Sequence, residues 1–314
     1  PQKGCQEMFL ACNTDIVIYG GKRGGGKSWA LLADAMKDCN NKFFNATIFR
    51  KEIGDLEQLE STSEDLYQQF GSYNKSKNDM TWNFNKGASV SLTYYAGTFS
   101  NFKDRFQGRE IPYVGIDEIT QMEYEKFKYI MTDCRNSHFI PNRLFGTCNP
   151  DPDCWVAKFI DWWIGEDGYP ISERNGVPRY CFMGGEDAKN PSSISWGSTR
   201  EEVYEQNKIL IDELYRPYER LNLGMTREEM FIKSATFIEG RLEENIQLLR
   251  SDPTYLSSLA NQSLEDIERD LRGNWKYKTV GDDLINYANM EKFFNNDMHV
   301  GDHHRRCSCD VAFD

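Results

Sequence analysis

Short, unbroken apolar runs punctuate the first half of the chain, and longer stretches of helical spacing lie between them. The runs at Ile16–Tyr19, Ala46–Phe49, Tyr113–Ile116 and Arg143–Thr147 have the length of buried strands. Helical spacing covers 28–39, with Trp29, Leu32, Ala33 and Met36 on one face, then 56–70 and Tyr124–Met131. "WNFNKGASVSLTYY" from Trp82 to Tyr95 alternates about Lys86-Gly87 and predicts a hairpin. Strands alternating with helices predict an α/β fold whose mostly parallel sheet is covered on both faces. Near Pro150 the rhythm breaks into Gly, Pro, Asp and Trp, with one short helix over Trp155–Trp163. Helical spacing returns over Arg200–Arg220 and Arg241–Trp275, where "SLEDIERDLRGNW" opens on Ser263 as a cap and stops at Gly273. Residues 281–302 are polar and read as a linker, and "RRCSCDVAFD" begins a fresh strand. The expected organisation is a core over 1–150, a helical subdomain over 151–280, a linker over 281–302 and the start of another domain at 303–314.

Composition narrows the possibilities. The 314 residues are 39% hydrophobic and 13% aromatic, enough for a sizeable core, and carry a net charge of −12. A chain this acidic is not coated in basic surface, so nucleic acid would have to meet a local patch or a ring of subunits. No apolar run approaches the roughly 18 residues of a membrane span, and the opening residues lack a signal-peptide pattern. The nine cysteines are scattered with no readable disulfide framework, which points to a reducing cytosol. "HHRRCSC" places His303, His304, Cys307 and Cys309 together, but without the knuckle spacing of a zinc site.

The chemistry begins at "IVIYGGKRGGGKSWALLADAM". Gly21–Ser28 fits G-x-x-x-x-G-K-S after a strand and at the head of a helix. Glycines such as Gly21, Gly24, Gly25 and Gly26 let successive N–H groups curl around phosphate oxygens. The helix start adds its positive end, Lys27 reaches the β and γ phosphates, and Ser28 offers a hydroxyl to Mg²⁺. Arg23 adds a cation inside the loop. "PYVGIDEIT" then ends a buried strand in Asp117 and Glu118. Beside a phosphate loop, Asp117 is the residue to hold Mg²⁺ and Glu118 the base that activates water. The base-reading N-K-x-D of GTPase switches is absent.

In its ordered motifs the chain resembles the large terminase subunit of tailed double-stranded DNA phages. "QEMFL" resembles that family's adenine-recognition segment, which assigns Gln6 to adenine. "GGKRGGGKS" resembles its phosphate loop, and "RLFGTCNP" its coupling motif, with Thr147 and Asn149 sensing the γ phosphate. "DPDCWVAKFI" resembles its Trp-containing segment, and "RSDPTYLSSLANQSLEDIERDLRGNW" its lid. "SCDVAFD" resembles the first strand of its RNase H-like nuclease domain, with Asp310, and Asp314 beside it, as the start of an acidic cluster for Mg²⁺ or Mn²⁺. The resemblance implies a P-loop NTPase fold of the ASCE type and an ATP- and Mg²⁺-dependent motor that moves double-stranded DNA into a procapsid in the host cytoplasm. It implies a homomeric ring, usually of five subunits, docked on a portal protein and served by a small terminase subunit, absent from the mature virion. Arg23 in cis, or Arg105 or Arg109 from a neighbouring subunit, would supply the cation that stabilises the transition state. Two-metal cleavage needs more carboxylates than Asp310 and Asp314, so nuclease activity is expected only of a longer protein. The rivals are a helicase, which needs a second RecA-like domain, a nucleotide-gated assembly module, and a standalone nuclease.

Overall fold

The alternation of strand and helix is realised in a computed structural model, which describes residues 1–278 apart from 77, 78, 186, 188 and 222. The strands are β1 Ile16–Gly21, β2 Asn45–Arg50, β3 Gly71–Ser76, β4 Asp79–Phe84, β5 Ser89–Tyr94, β6 Tyr113–Asp117, β7 Arg143–Cys148, β8 Arg179–Phe182, β9 Ser195–Gly197 and β10 Lys233–Gly240. They form one 10-stranded sheet in the order β3-β4-β5-β2-β6-β7-β1-β10-β8-β9. The run from β5 to β10 is parallel, while β3-β4 and β8-β9 close the two edges antiparallel. Helices α1 Cys5–Ala11, α2 Lys27–Ala35, α3 Leu56–Tyr67, α4 Phe99–Phe106, α5 Tyr124–Asp133, α6 Trp155–Phe159, α7 Arg200–Tyr215, α8 Arg227–Phe231, α9 Ile246–Ser251, α10 Tyr255–Ala260 and α11 Leu264–Asp266 complete it. No described helix is long and apolar enough to cross a membrane.

Successive strand side chains point to opposite faces, and the parallel strands feed two cores. Ile16 and Ile18 of β1 join Val114, Ile116 and Leu144 on the face covered by α4, α5 and α6. Val17 and Tyr19 join Tyr113 and Phe145 on the face covered by α1, α2 and α3. Burial on both faces explains why these strands read as solid apolar runs. Hydroxyls clamp α2 onto this second face: Tyr67 donates to the Leu32 carbonyl at 2.6 Å and Tyr113 to that of Leu31 at 3.0 Å.

The structure corrects several expectations. Within the region 151–280, expected to be a helical subdomain, β10 inserts into the core sheet beside β1 and pairs with it from Ile16↔Ala235 to Gly21↔Gly240. Pro1–Tyr277 is one compact unit. Of the face predicted from Trp29, Leu32, Ala33 and Met36, Leu32 is buried and the other three are half-buried, and Ala30, Leu31 and Ala35 join Leu32 as the buried apolar residues of α2. The helical spacing over 241–275 resolves into short pieces, ending in a π turn at Ile267–Leu271. Strand β3 and helix α4 were not anticipated. The linker at 281–302 and the strand opening at 303–314, with His303, His304, Cys307, Cys309, Asp310 and Asp314, lie outside the described residues.

Phe145 is fully buried between Phe9 and Tyr113, with ring centroids at 5.3 and 5.9 Å. Phe145→Ala is expected to cost about 3–5 kcal/mol in urea denaturation, because a central-strand cavity cannot collapse. Phe145→Leu should cost clearly less.

Candidate functional site

Loop 21–26 leaves the C-terminal end of β1, and its path is set by backbone contacts on both sides. The Lys22 N–H donates to the Gly240 carbonyl at 2.9 Å, and the Arg23 N–H to the Asp270 carbonyl at 2.8 Å. Gly26 caps α2 with φ 72°, a left-handed turn that a side chain resists. The first N–H groups of α2 are thereby turned towards the cavity above the loop, with the positive end of the helix behind them.

Lys27 is buried, and its ammonium is fully engaged. It donates to the carbonyls of Gly21 at 3.1 Å and Lys22 at 2.7 Å and to Asn149 Oδ1 at 3.0 Å. Burial pushes its pKa down, against the pull of Glu118. Asn149 also faces Glu118, with its backbone N–H at 3.4 Å and its side-chain amide at 3.5 Å from the carboxylate. One amide thus links the phosphate-loop lysine to the expected base.

Asp117 is the hub of a tighter network. Its Oδ1 accepts from Ser28 Oγ at 2.8 Å and from the Thr147 hydroxyl, and its Oδ2 pairs with Arg50 Nη1 at 2.6 Å. Adjacent parallel strands β2, β6 and β7 thus meet α2 at one carboxylate. The converging hydroxyl and carboxylate oxygens are hard donors of the kind Mg²⁺ takes, so the residues fit the ion. Glu118 follows in left-handed backbone, φ 57° and ψ 53°, which costs a non-glycine residue roughly 1–3 kcal/mol. That turn takes its side chain out of the strand's alternation and into the cavity.

The cavity measures about 650 Å³, within the range of small-molecule sites. The phosphate loop, Arg50, Glu118 and Asn149 line one side, and Asn245, Leu248, Tyr255 and Gln262 from the α9–α10 region line the other. This second wall is tied to the loop. Asn245 donates to the Gly24 carbonyl at 2.5 Å and accepts from Gln2 at 2.6 Å. Gly24 has φ 81°, and a methyl there would lie 2.8 Å from Tyr255 and 2.9 Å from Leu242.

The structure brings Lys27, Ser28, Asp117, Glu118, Thr147 and Asn149 together. Gln6 is buried behind the loop, donating to the Gly26 carbonyl at 3.1 Å and accepting from the Gln2 N–H at 2.7 Å. Arg23 lines the cavity but turns towards Asp270, 3.4 Å away, with its side chain 54% exposed. Arg105 and Arg109 do not line this cavity. Arg105 donates to Thr93 at 3.0 Å and lies 4.2 Å over the Tyr94 ring, whereas Arg109 is exposed beside Phe106. Sequence reasoning missed Arg50, Asn245 and the pair Arg269 and Asp270. Arg269 donates to the Pro150 carbonyl at 3.0 Å, while its neighbour Asp270 meets Arg23. The position of Arg50 at the C-terminal end of a parallel strand was the one available signal.

Burial, reinforced by Asp117, raises the Glu118 carboxyl above its ordinary value, with Lys27 and Arg50 opposing. An acid raised in this way adds stability below its unfolded value and loses it as pH rises through the folded one. Ionising Glu118 therefore weighs against the fold. Glu118→Gln is expected to melt no lower than the parent there, with the difference shrinking on acidification. A melt several degrees lower at neutral pH would contradict this.

Comparison with known proteins agrees with the geometry. The sequence model of the family described as "Terminase large subunit, T4likevirus-type, N-terminal" matches residues 18–292. No curated protein matches the chain. Among solved structures, the large terminase of a thermophilic bacteriophage aligns at TM-score 0.52 and 15% identity, over 88% of this chain and 54% of that one. The same protein in complex with ATP-gamma-S aligns at TM-score 0.52 and 14% identity, over 88% and 53%. At such identities the likeness shows the shared fold, and the chain spans about half the length of these two structures. By the match across 18–292, the chain belongs to the T4likevirus-type family of terminase large subunits, over the N-terminal region of that family.

Proposed function

We propose that the chain is the ATP-hydrolysing part of a motor that drives double-stranded DNA through a portal into a procapsid. The observation that carries this reading is the division of labour between neighbouring carboxylates. Asp117 is tied to Ser28, Thr147 and Arg50, while Glu118 is turned into the cavity beside Asn149. In that arrangement the loop N–H groups hold the β and γ phosphates, together with Lys27 once its ammonium exchanges the Lys22 carbonyl or Asn149 for phosphate oxygens. Ser28 and Asp117 would hold Mg²⁺, which when bound neutralises charge on those phosphates. Glu118 takes a proton from the attacking water. Loss of the γ phosphate would return Asn149 to Lys27 and Glu118, and would move with it Pro150 and the Arg269 segment that leads to the wall of α9 and α10.

DNA, portal, small subunit and a homomeric ring, expected to have five members, belong to the same proposal, as do Gln6 on adenine and Arg109 or Arg105 acting between subunits. The exposed Arg109 suits the last role better than Arg105, which is held by Thr93 and Tyr94. A nuclease half that uses Asp310 and a host-cytoplasmic setting complete the proposal for a longer protein. A helicase is disfavoured because the family model that matches 18–292 is that of terminase large subunits. A nucleotide-gated assembly module draws support from Arg23, which is paired with Asp270 rather than with the Glu118 end.

Steady-state ATP hydrolysis with and without linear double-stranded DNA tests the reading. Lys27→Ala should abolish ATP binding. Glu118→Gln should keep it and lose turnover by roughly 10²–10⁴-fold, the usual worth of a general base. If Glu118 is the base, the acid limb of the parent's turnover should lie above the ordinary carboxylate range, the direction in which burial moves this carboxyl. Undiminished turnover in Glu118→Gln would remove the base assignment, and tight ATP binding with no turnover in any condition would favour the assembly module.

A further inference from the structure

Three cations line the cavity above the phosphate loop, and they are not equivalent. Lys27 spends its donors on Gly21, Lys22 and Asn149. Arg23, the loop cation expected to act in cis, is held away from the Glu118 end. Its backbone N–H bonds the Asp270 carbonyl, and its guanidinium meets the Asp270 carboxylate. Arg50 is different. It ends β2 immediately after the Phe49↔Ile116 pair, which brings it level with Asp117. Its side chain is 19% exposed and lines the cavity together with Lys27, Ser28, Glu118 and Asn149. Its contact with Asp117 uses Nη1, and a guanidinium has five donors in a fixed fork.

We propose that Arg50 is a catalytic residue of the hydrolysis, anchored on Asp117 and presenting the rest of its fork to the γ phosphate. This rests on the ATPase reading and names the cis cation within it. In the step, the water oxygen bonds to the γ phosphorus, and the bond from that phosphorus to the bridging oxygen breaks. The electron pair leaves on the β phosphate of ADP, the water proton passes to Glu118, and inorganic phosphate is the second product. Charge spread over the γ oxygens in the transition state faces Arg50, and a planar, permanently charged fork suits it. The anchor on Asp117 holds the fork still, so that ordering it costs little when the nucleotide arrives.

A purely structural Arg50, serving only to steady Asp117, predicts something else, and binding separates the two. Calorimetric titration with ADP and with ATP-gamma-S, both with Mg²⁺, is combined with turnover for the parent, Arg50→Met and Arg50→Lys. A γ-phosphate contact predicts that Arg50→Met binds ADP like the parent and loses roughly tenfold or more in affinity for ATP-gamma-S, the worth of a charge-assisted hydrogen bond. Its kcat should fall roughly 100-fold, as when one transition-state donor is removed. Arg50→Lys should recover part of both losses. Equal loss of ADP and ATP-gamma-S affinity, or an unchanged kcat, overturns the proposal and leaves Arg50 a support for Asp117. If Arg50→Met has no cooperative melt, Arg50→Lys carries the same comparison, and failure of both to fold likewise assigns Arg50 to the frame. A parent that binds neither nucleotide would instead sink the ATPase reading itself.

Discussion

The Asp117 carboxylate accepts from Ser28 and Thr147 on one oxygen and from Arg50 on the other, so α2, β7 and β2 converge on one side chain. A buried carboxylate needs such partners, because isolating its charge from water costs several kcal/mol. Once they are in place, the neighbouring elements are fixed. The head of α2 determines where Lys27 and the loop N–H groups stand, and β7 determines where Asn149 follows Thr147. The end of β2 determines the position of Arg50. Moving any one of these elements would leave the carboxylate short of a partner.

That constraint explains the cost accepted next door. Glu118 sits in left-handed backbone, a conformation that persists only where surrounding structure over-determines it. The pairing of β6 between β2 and β7 does so on one side, and the turn at Ile119–Gln121, whose Ile119 packs against Gly146, does so on the other. Strain, burial and a raised carboxyl coincide on one residue, the pattern expected where chemistry rather than stability sets the geometry.

Much of the sheet was legible because parallel strands buried on both faces are solid apolar runs, as at "IVIY" and "YVGI". The phosphate loop and the Asp117-Glu118 pair were legible because their chemistry dictates residue type and spacing together. Strand β10 was not. In "KSATFIEG" the apolar residues are few and flanked by charge, and only its place between β1 and β8 makes it a strand. Arg50 was visible as a strand end, but nothing local pairs it with Asp117, which lies 67 residues later. Asp270 was hidden among helical residues, because a π turn puts Arg269 and Asp270 against different neighbours, Pro150 and Arg23.

Gly24 joins the two walls of the cavity in a way that concerns clearance rather than phosphate. Tyr255, Leu242 and Leu248 crowd the space where a side chain at this position would start, and Asn245 grips the carbonyl of the same residue. The segment from Leu242 to Tyr255 therefore rests directly on the bare backbone of the loop, as a door rests on its sill. With no side chain between them, a lift of that backbone would be passed to the door with little slack. The bareness that would let a phosphate approach from one side leaves a neighbouring element in direct contact with the same backbone from the other.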